Sequence, residues 1–229
     1  MPRMTVRERE VHIPVESGPL TAGPPRSVQL EGNLTLPEGA TGIVLFAHGS
    51  GSSRFSPRNR FVARALQEAG LGTLLIDLLN PQEEAVDVRT AELRFDIPFL
   101  ARRLTEVIDW LGEEPDTENL AVGLFGASTG GGAALMTAVE RPGSVKAVVS
   151  RGGRPDLAAP ALPRVKAPTL LIVGGEDQPV IAMNQEAFDQ LKGEKRLWIV
   201  PGATHLFEEP GTLEQVAQLA ADWFKTRLC

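Results

Sequence analysis

Cysteine is nearly absent from this sequence. The single thiol, Cys229, is the last of 229 residues, so a disulfide framework and an interior cysteine nucleophile are both excluded. Histidine is scarce too: His12, His48 and His205 stand far apart in no metal-ligand spacing, which argues against a metal site. Long apolar runs are missing. None approaches the roughly 18 residues of a membrane span, and Met1-Pro-Arg-Met-Thr5 lacks the apolar stretch of a signal peptide. The expectation is a soluble, cytoplasmic protein with no membrane partner. Basic charge is also in deficit, with a net charge of −6, which argues against nucleic acid as a partner. No repeat, low-complexity tract or compositional break divides the chain, so residues 1–229 are expected to form a single domain.

What the chain does contain is a rhythm of short apolar runs. Residues 5–15 and 27–36 read as two strands; in the second, Val28, Leu30, Leu34 and Leu36 alternate with polar residues, the period of a strand with one buried face. Ser17-Gly18-Pro19 and Gly23-Pro24-Pro25 break the chain between them, so residues 1–40 are expected to supply an antiparallel pair. From Thr41 onward the runs become continuously apolar: 42–47, 71–77, 120–125, 145–150, 169–173 and 196–200. Strands of that kind are buried on both faces, which implies an α/β fold: a mostly parallel central sheet with helices on both faces.

The intervening segments carry helical stripes. Ser56-Pro57 reads as a cap and first helical residue, followed by Val62, Ala65, Leu66 and Ala69 on one face. Leu100, Leu104, Val107, Ile108 and Leu111 repeat the pattern, and Thr212-Leu213-Glu214-Gln215 has the spacing of a capping box opening the last helix. The long connection 79–97 reads either as a small lid or as plain packing.

The chemistry is concentrated after strand ends. In Gly126-Ala127-Ser128-Thr129-Gly130 a serine is boxed by glycines between an apolar run and a helix, the context of a strained turn that exposes a nucleophile. Asp177 follows the run ending at Val173, and His205 follows the run ending at Val200. A serine hydroxyl becomes a useful nucleophile near neutral pH only when an imidazole takes its proton and a carboxylate orients that imidazole. Ser128, His205 and Asp177 would fill those roles, with Glu176 as the alternative acid. Two backbone donors must also face the oxygen that gains charge. The Thr129 amide would be one, and Ser50 or Gly49 in the His48-Gly49-Ser50-Gly51 loop would give the other. His48 itself reads as a loop anchor.

Arg54, Arg151 and Arg154 lie near these loops, where an inward guanidinium would favour a substrate carboxylate. A competing reading takes Gly49-Ser50-Gly51 and Asp77 as a dinucleotide fingerprint, but Arg54 stands where its third glycine belongs.

Gly126-Ala-Ser-Thr-Gly130, Gly174-Gly-Glu-Asp177 and Gly202-Ala-Thr-His205, in that order, resemble the α/β-hydrolase superfamily, close to its dienelactone hydrolase-like branch. The resemblance implies the α/β-hydrolase fold and hydrolysis of a small-molecule ester or lactone with no cofactor. That branch usually carries a cysteine nucleophile; Ser128 in its place shifts the expectation toward a general carboxylic ester or thioester hydrolase. The alternatives are an acyltransferase using the same site, or a non-catalytic module binding a metabolite or partner chain.

Overall fold

A computed structural model describes residues 6–18 and 26–229. Among these, eight strands form one sheet in the order β1-β2-β4-β3-β5-β6-β7-β8. The first two, β1 (Val6–Glu16) and β2 (Ser27–Pro37), pair antiparallel along their whole length, and the Gly23-Pro-Pro break lies outside the described residues. The others are β3 (Gly42–Ala47), β4 (Gly72–Ile76), β5 (Ala121–Ala127), β6 (Val145–Arg151), β7 (Thr169–Gly174) and β8 (Lys195–Val200). Strand β2 joins β4 antiparallel, and every pairing from β4 to β8 is parallel. The sheet is mostly parallel, as the apolar runs require.

Alternation along β3 shows how one strand serves two cores. Ile43, Leu45 and Ala47 enter a layer with α3 (Ile97–Glu113) and α4 (Thr129–Glu140), whereas Val44 and Phe46 enter the layer packed by α1 (Pro57–Glu68) and α6 (Thr212–Leu228). Each large aliphatic side chain buried in these layers contributes about 1.5–3 kcal/mol relative to exposure. The helices α2 (Pro81–Thr90) and α5 (Gln178–Gln190) complete the set.

Helix termini are where sequence and structure part. Ser56 caps α1 as expected, its hydroxyl accepting from the Asn59 amide at 3.4 Å. The capping box expected at Thr212 does not form. Gly211, in a left-handed conformation, starts α6, and the Thr212 hydroxyl donates to the Glu209 carbonyl at 2.7 Å. A capping box forms instead at Asn80 and Glu83, opening α2: Asn80 Oδ1 accepts from the Glu83 amide and Glu83 Oε2 from the Asn80 amide.

That box is fastened further. Glu83 Oε1 accepts from Arg103 Nη2 of α3 at 2.6 Å, with the two side chains 3% and 0% exposed. Asp87, buried, accepts from the Leu93 and Arg94 amides and from Arg94 Nε. The 79–97 connection is therefore a helix and a 3-10 turn (Leu93–Phe95) tied to the body by buried charge.

Candidate active site

The C-terminal ends of the parallel strands bring together the loops after β3, β5, β7 and β8, and the elbow after β5 sits at their centre. Ser128 has φ 51° and ψ −122°, a conformation L-residues avoid. The turn leaves no alternative. A Cβ at Gly126 would lie 2.4 Å from the Gly130 carbonyl oxygen, and one at Gly130 would lie 2.1 Å from the Ala47 carbonyl oxygen. Side chains at either position would collide with backbone, so glycine on both sides is what allows β5 to turn sharply into α4. The turn is pinned by the Ser128 amide donating to Arg151 O at 3.2 Å and by Ser128 O accepting from the Gly131 and Arg154 amides at 2.9 and 3.0 Å. Strain of this kind is held by surrounding structure and concentrates at functional sites.

The loops after β7 and β8 meet at one hydrogen bond. His205 Nδ1 lies 2.6 Å from Asp177 Oδ2. With the proton assigned to Nδ1, the carboxylate accepts it and Nε2 keeps a lone pair, which is the tautomer a general base needs. Glu176 is exposed and directs its amide to Ala203 O at 3.0 Å; among the described residues its carboxylate does not reach His205. The His205 loop is held by Glu209, whose carboxylate accepts from the Thr204 amide and hydroxyl at 3.0 and 2.6 Å. These bonds lower the Glu209 pKa. Phe207, buried in the same loop two positions after His205, has φ 56°, one of three non-glycine residues with positive φ among the described residues, with Ser128 and Ala91.

The loop reaches the elbow through Gly152, where a Cβ would stand 3.6 Å from His205 Cε1. Among the described residues the Ser128 hydroxyl has no hydrogen bond, to His205 or to any other group.

The loop after β3 lies against the elbow from the other side. A Cβ at Gly49 would be 3.0 Å from Ser128 Cβ. The Ser50 amide donates to Thr129 Oγ1 at 2.9 Å, so it is engaged within the protein, whereas the Gly49 and Thr129 amides have no partner among the described residues. His48 anchors this loop with both ring nitrogens: Nε2 accepts from the Leu78 amide at 3.1 Å and Nδ1 bonds Gly49 O at 2.9 Å. Burial lowers its pKa and favours the neutral imidazole that this arrangement requires.

The three arginines have different fates. Arg54 is buried and binds Glu31 at 2.5 Å, Asp77 at 2.7 Å and Glu10 at 2.9 Å, so its donors are spent tying the strand edge together. Asp77 is thereby occupied too, and no ribose-binding acid is left on offer. Arg154 is held bidentate by its near neighbour Asp156 at 2.7 and 2.8 Å. Arg151 is buried with no such partner among the described residues. Neither Phe207 nor Glu209 drew attention in the sequence, although Glu209 stands five residues after Thr204, within reach of a loop cap.

Comparison with known proteins shows the family and the fold. Residues 30–227 match the dienelactone hydrolase family. The chain belongs to that family. A crystal structure of dienelactone hydrolase from Anabaena variabilis is 64% identical with a TM-score of 0.89, covering 97% of this chain and 99% of that one. Est1E from Butyrivibrio proteoclasticus, at 16% identity and a TM-score of 0.72 over 86% of this chain and 93% of its own, shares the fold. Among curated proteins, this dienelactone hydrolase family member is 57% identical over 224 residues to a Mycobacterium tuberculosis protein provisionally named a phosphoribosyl transferase. The match covers 98% of this chain but 47% of that protein, so the chain spans about half the length of the curated relatives it matches. At the coarse level, family and fold neighbours are hydrolases and esterases. Among the described residues no helix is long and apolar enough to cross a membrane.

Proposed function

We propose that the protein is a serine hydrolase that cleaves a small carboxylic ester, thioester or lactone through an acyl-enzyme intermediate. The observation that carries this reading is the 2.6 Å bond between His205 Nδ1 and Asp177, in loops that converge on a serine held at φ 51°. In this scheme Ser128 Oγ attacks the substrate carbonyl and His205 Nε2 takes its proton. Asp177 stabilises the imidazolium, and His205 returns the proton to the leaving group. Water then repeats the sequence and frees the acid. The developing oxyanion would be met by the Thr129 amide and by a donor from the Gly49–Ser50 pair. Gly49 is the better placed of the two, because Ser50 must first leave the Thr129 hydroxyl. No cofactor takes part in these steps.

Fluorophosphonate labelling and turnover of a short-chain chromogenic ester test the reading together. Wild-type protein should show both and Ser128→Ala neither; equal activity in the variant would remove Ser128 from the mechanism. Folded wild-type protein that never labels would favour a binding module.

The name of the curated relatives favours one other reading, transfer in place of hydrolysis. Because those relatives are about twice as long, phosphoribosyl transfer is assigned to this chain only if the purified protein consumes phosphoribosyl pyrophosphate. Acyl transfer would show as faster ester turnover and a new acylated product when alcohols or amines are added.

A further inference from the structure

The central sheet ends in two edges of opposite character. At one, β1 carries five charged residues and Pro14, features that keep an edge strand from pairing with another chain. At the other, β8 is charged only at Lys195 and Arg196 and exposes Trp198 and Ile199, at 38% and 37%. Lys195 does not guard that edge. Its ammonium is turned back onto the end of α5, where it donates to the Phe188 and Leu191 carbonyls at 2.5 and 2.7 Å.

The open backbone of β8 follows from its ladder. Glu194 O accepts from the Thr169 amide and Val200 O from the Gly175 amide, so the even-numbered residues turn their peptide groups toward β7. Alternation leaves the N–H and C=O of Lys195, Leu197 and Ile199 at the open edge, where among the described residues no loop or side chain bonds them. The side chains divide as well. Leu197 packs toward the α3 and α4 layer and Val200 lies in the α1 and α6 layer, so Arg196 and Trp198 stand on the α6 face. A cleft of about 370 Å³ opens there between β8 and α6, lined by Arg196, Leu219, Asp222 and Trp223 among others.

We propose that β8 pairs antiparallel with β8 of a second copy of this chain, across a two-fold axis at Leu197, so that one sheet runs through both copies. Backbone and charge together choose that register. Leu197 meets Leu197 and Lys195 meets Ile199 of the second copy, which engages all three open residues on each side. On the α6 face each Arg196, exposed and without an ion pair among the described residues, meets Trp198 of the other copy, a favourable cation–aromatic pair made twice. The neighbouring registers fail. An axis at Arg196 sets two arginines against each other, and an axis at Trp198 brings Lys195 against Pro201, which has no N–H to give. The cleft beside Arg196 offers the incoming indole Leu219 and Trp223 as an apolar wall. Because the paired strands run in opposite directions, the two serine elbows lie at opposite ends of the assembly and each copy keeps a whole site.

A six-residue strand makes a small contact beside the roughly 1,600 Å² of a standard interface, so the dimer should dissociate on dilution. Sedimentation velocity of the purified chain from about 2 to about 200 µM, the range suited to such a contact, should show a reversible monomer–dimer equilibrium. Trp198→Lys sets a lysine against Arg196 of the other copy twice and should raise the dissociation constant at least tenfold. Arg196→Glu combined with Trp198→Lys makes those same pairs opposite in charge and should recover most of that loss. Ile199→Lys, which opposes Lys195 on the other face of the sheet, is a second disrupting variant with the same expected loss. All three positions are exposed, and circular dichroism checks that each variant is folded.

A wild type that stays monomeric throughout the range overturns the proposal. So does a dimer that Trp198→Lys and Ile199→Lys leave unchanged, which would place the contact elsewhere, or a loss in Trp198→Lys that the charge-reversed double variant does not recover, which would refute the register. No catalytic activity is read, so the result is independent of the hydrolase assignment.

Discussion

Replacing Ser128 by glycine should stabilise the protein relative to Ser128→Ala while leaving both variants unlabelled by fluorophosphonate. Either substitution removes the hydroxyl, which forms no hydrogen bond among the described residues, so that loss cancels in the comparison. What differs is the backbone. At φ 51° and ψ −122° the alanine variant keeps the strain, worth about 1–3 kcal/mol, whereas glycine adopts the conformation freely. Against this, glycine makes the unfolded chain more flexible, a cost of about 0.5–1 kcal/mol. The two terms leave about 0–2.5 kcal/mol, and the central value of about 1 kcal/mol corresponds to roughly 2–4 °C in melting temperature for a chain of this length. Paired thermal melts and urea titrations at one pH measure it. If Ser128→Gly melts at or below Ser128→Ala, the elbow is not a store of strain, and the argument linking its geometry to function fails.

Asp177→Asn should lower kcat on the order of 10⁴-fold by favouring the wrong imidazole tautomer, while Glu176→Gln stays within about twofold; similar losses in both would disprove the assignment of the acid. His48 is held neutral in the fold, with its pKa below the unfolded value of about 6.5, so acidification protonates the unfolded chain first and costs stability below that pH. Urea titrations from pH 7.5 to 5 should therefore show the stability advantage of wild type over His48→Gln shrinking, and a constant difference would contradict the neutral anchor. Arg103→Met leaves Glu83 buried and uncompensated and should cost about 3–5 kcal/mol, part of which Arg103→Met with Glu83→Gln should recover. Equal stabilities of the single and double variants would show that the ion pair does not secure α2.

The sheet was legible because its cause is local: a strand buried on both faces must be continuously apolar, and the run 42–47, for example, became a parallel strand buried throughout, whereas 196–200, read the same way, became the edge strand β8 and is largely exposed. The elbow was legible for a related reason, since only glycine fits where a Cβ would sit 2.1–2.4 Å from a carbonyl oxygen. Helix caps were less so. Thr212 and Asn80 both have a spacing that suits a box, and the choice between them depended on how the preceding loop arrived, through a left-handed Gly211 in one case and an extended Asn80 in the other.

The arginines were the least legible, because pairing is a property of the fold and of no single segment. Arg54 finds Glu10, 44 residues away, through the β1–β2 pair, and nothing in its own neighbourhood announces that. Arg154 is the exception, since Asp156 stands two residues on. Arg151 differs from both in what it lacks, and a missing partner is visible only once every neighbouring side chain has been placed. The same asymmetry runs through the chain. Ser128, Asp177 and His205 follow strand ends and can be found by position along the chain, whereas a buried side chain's unmet donors depend on which partners the rest of the fold has taken.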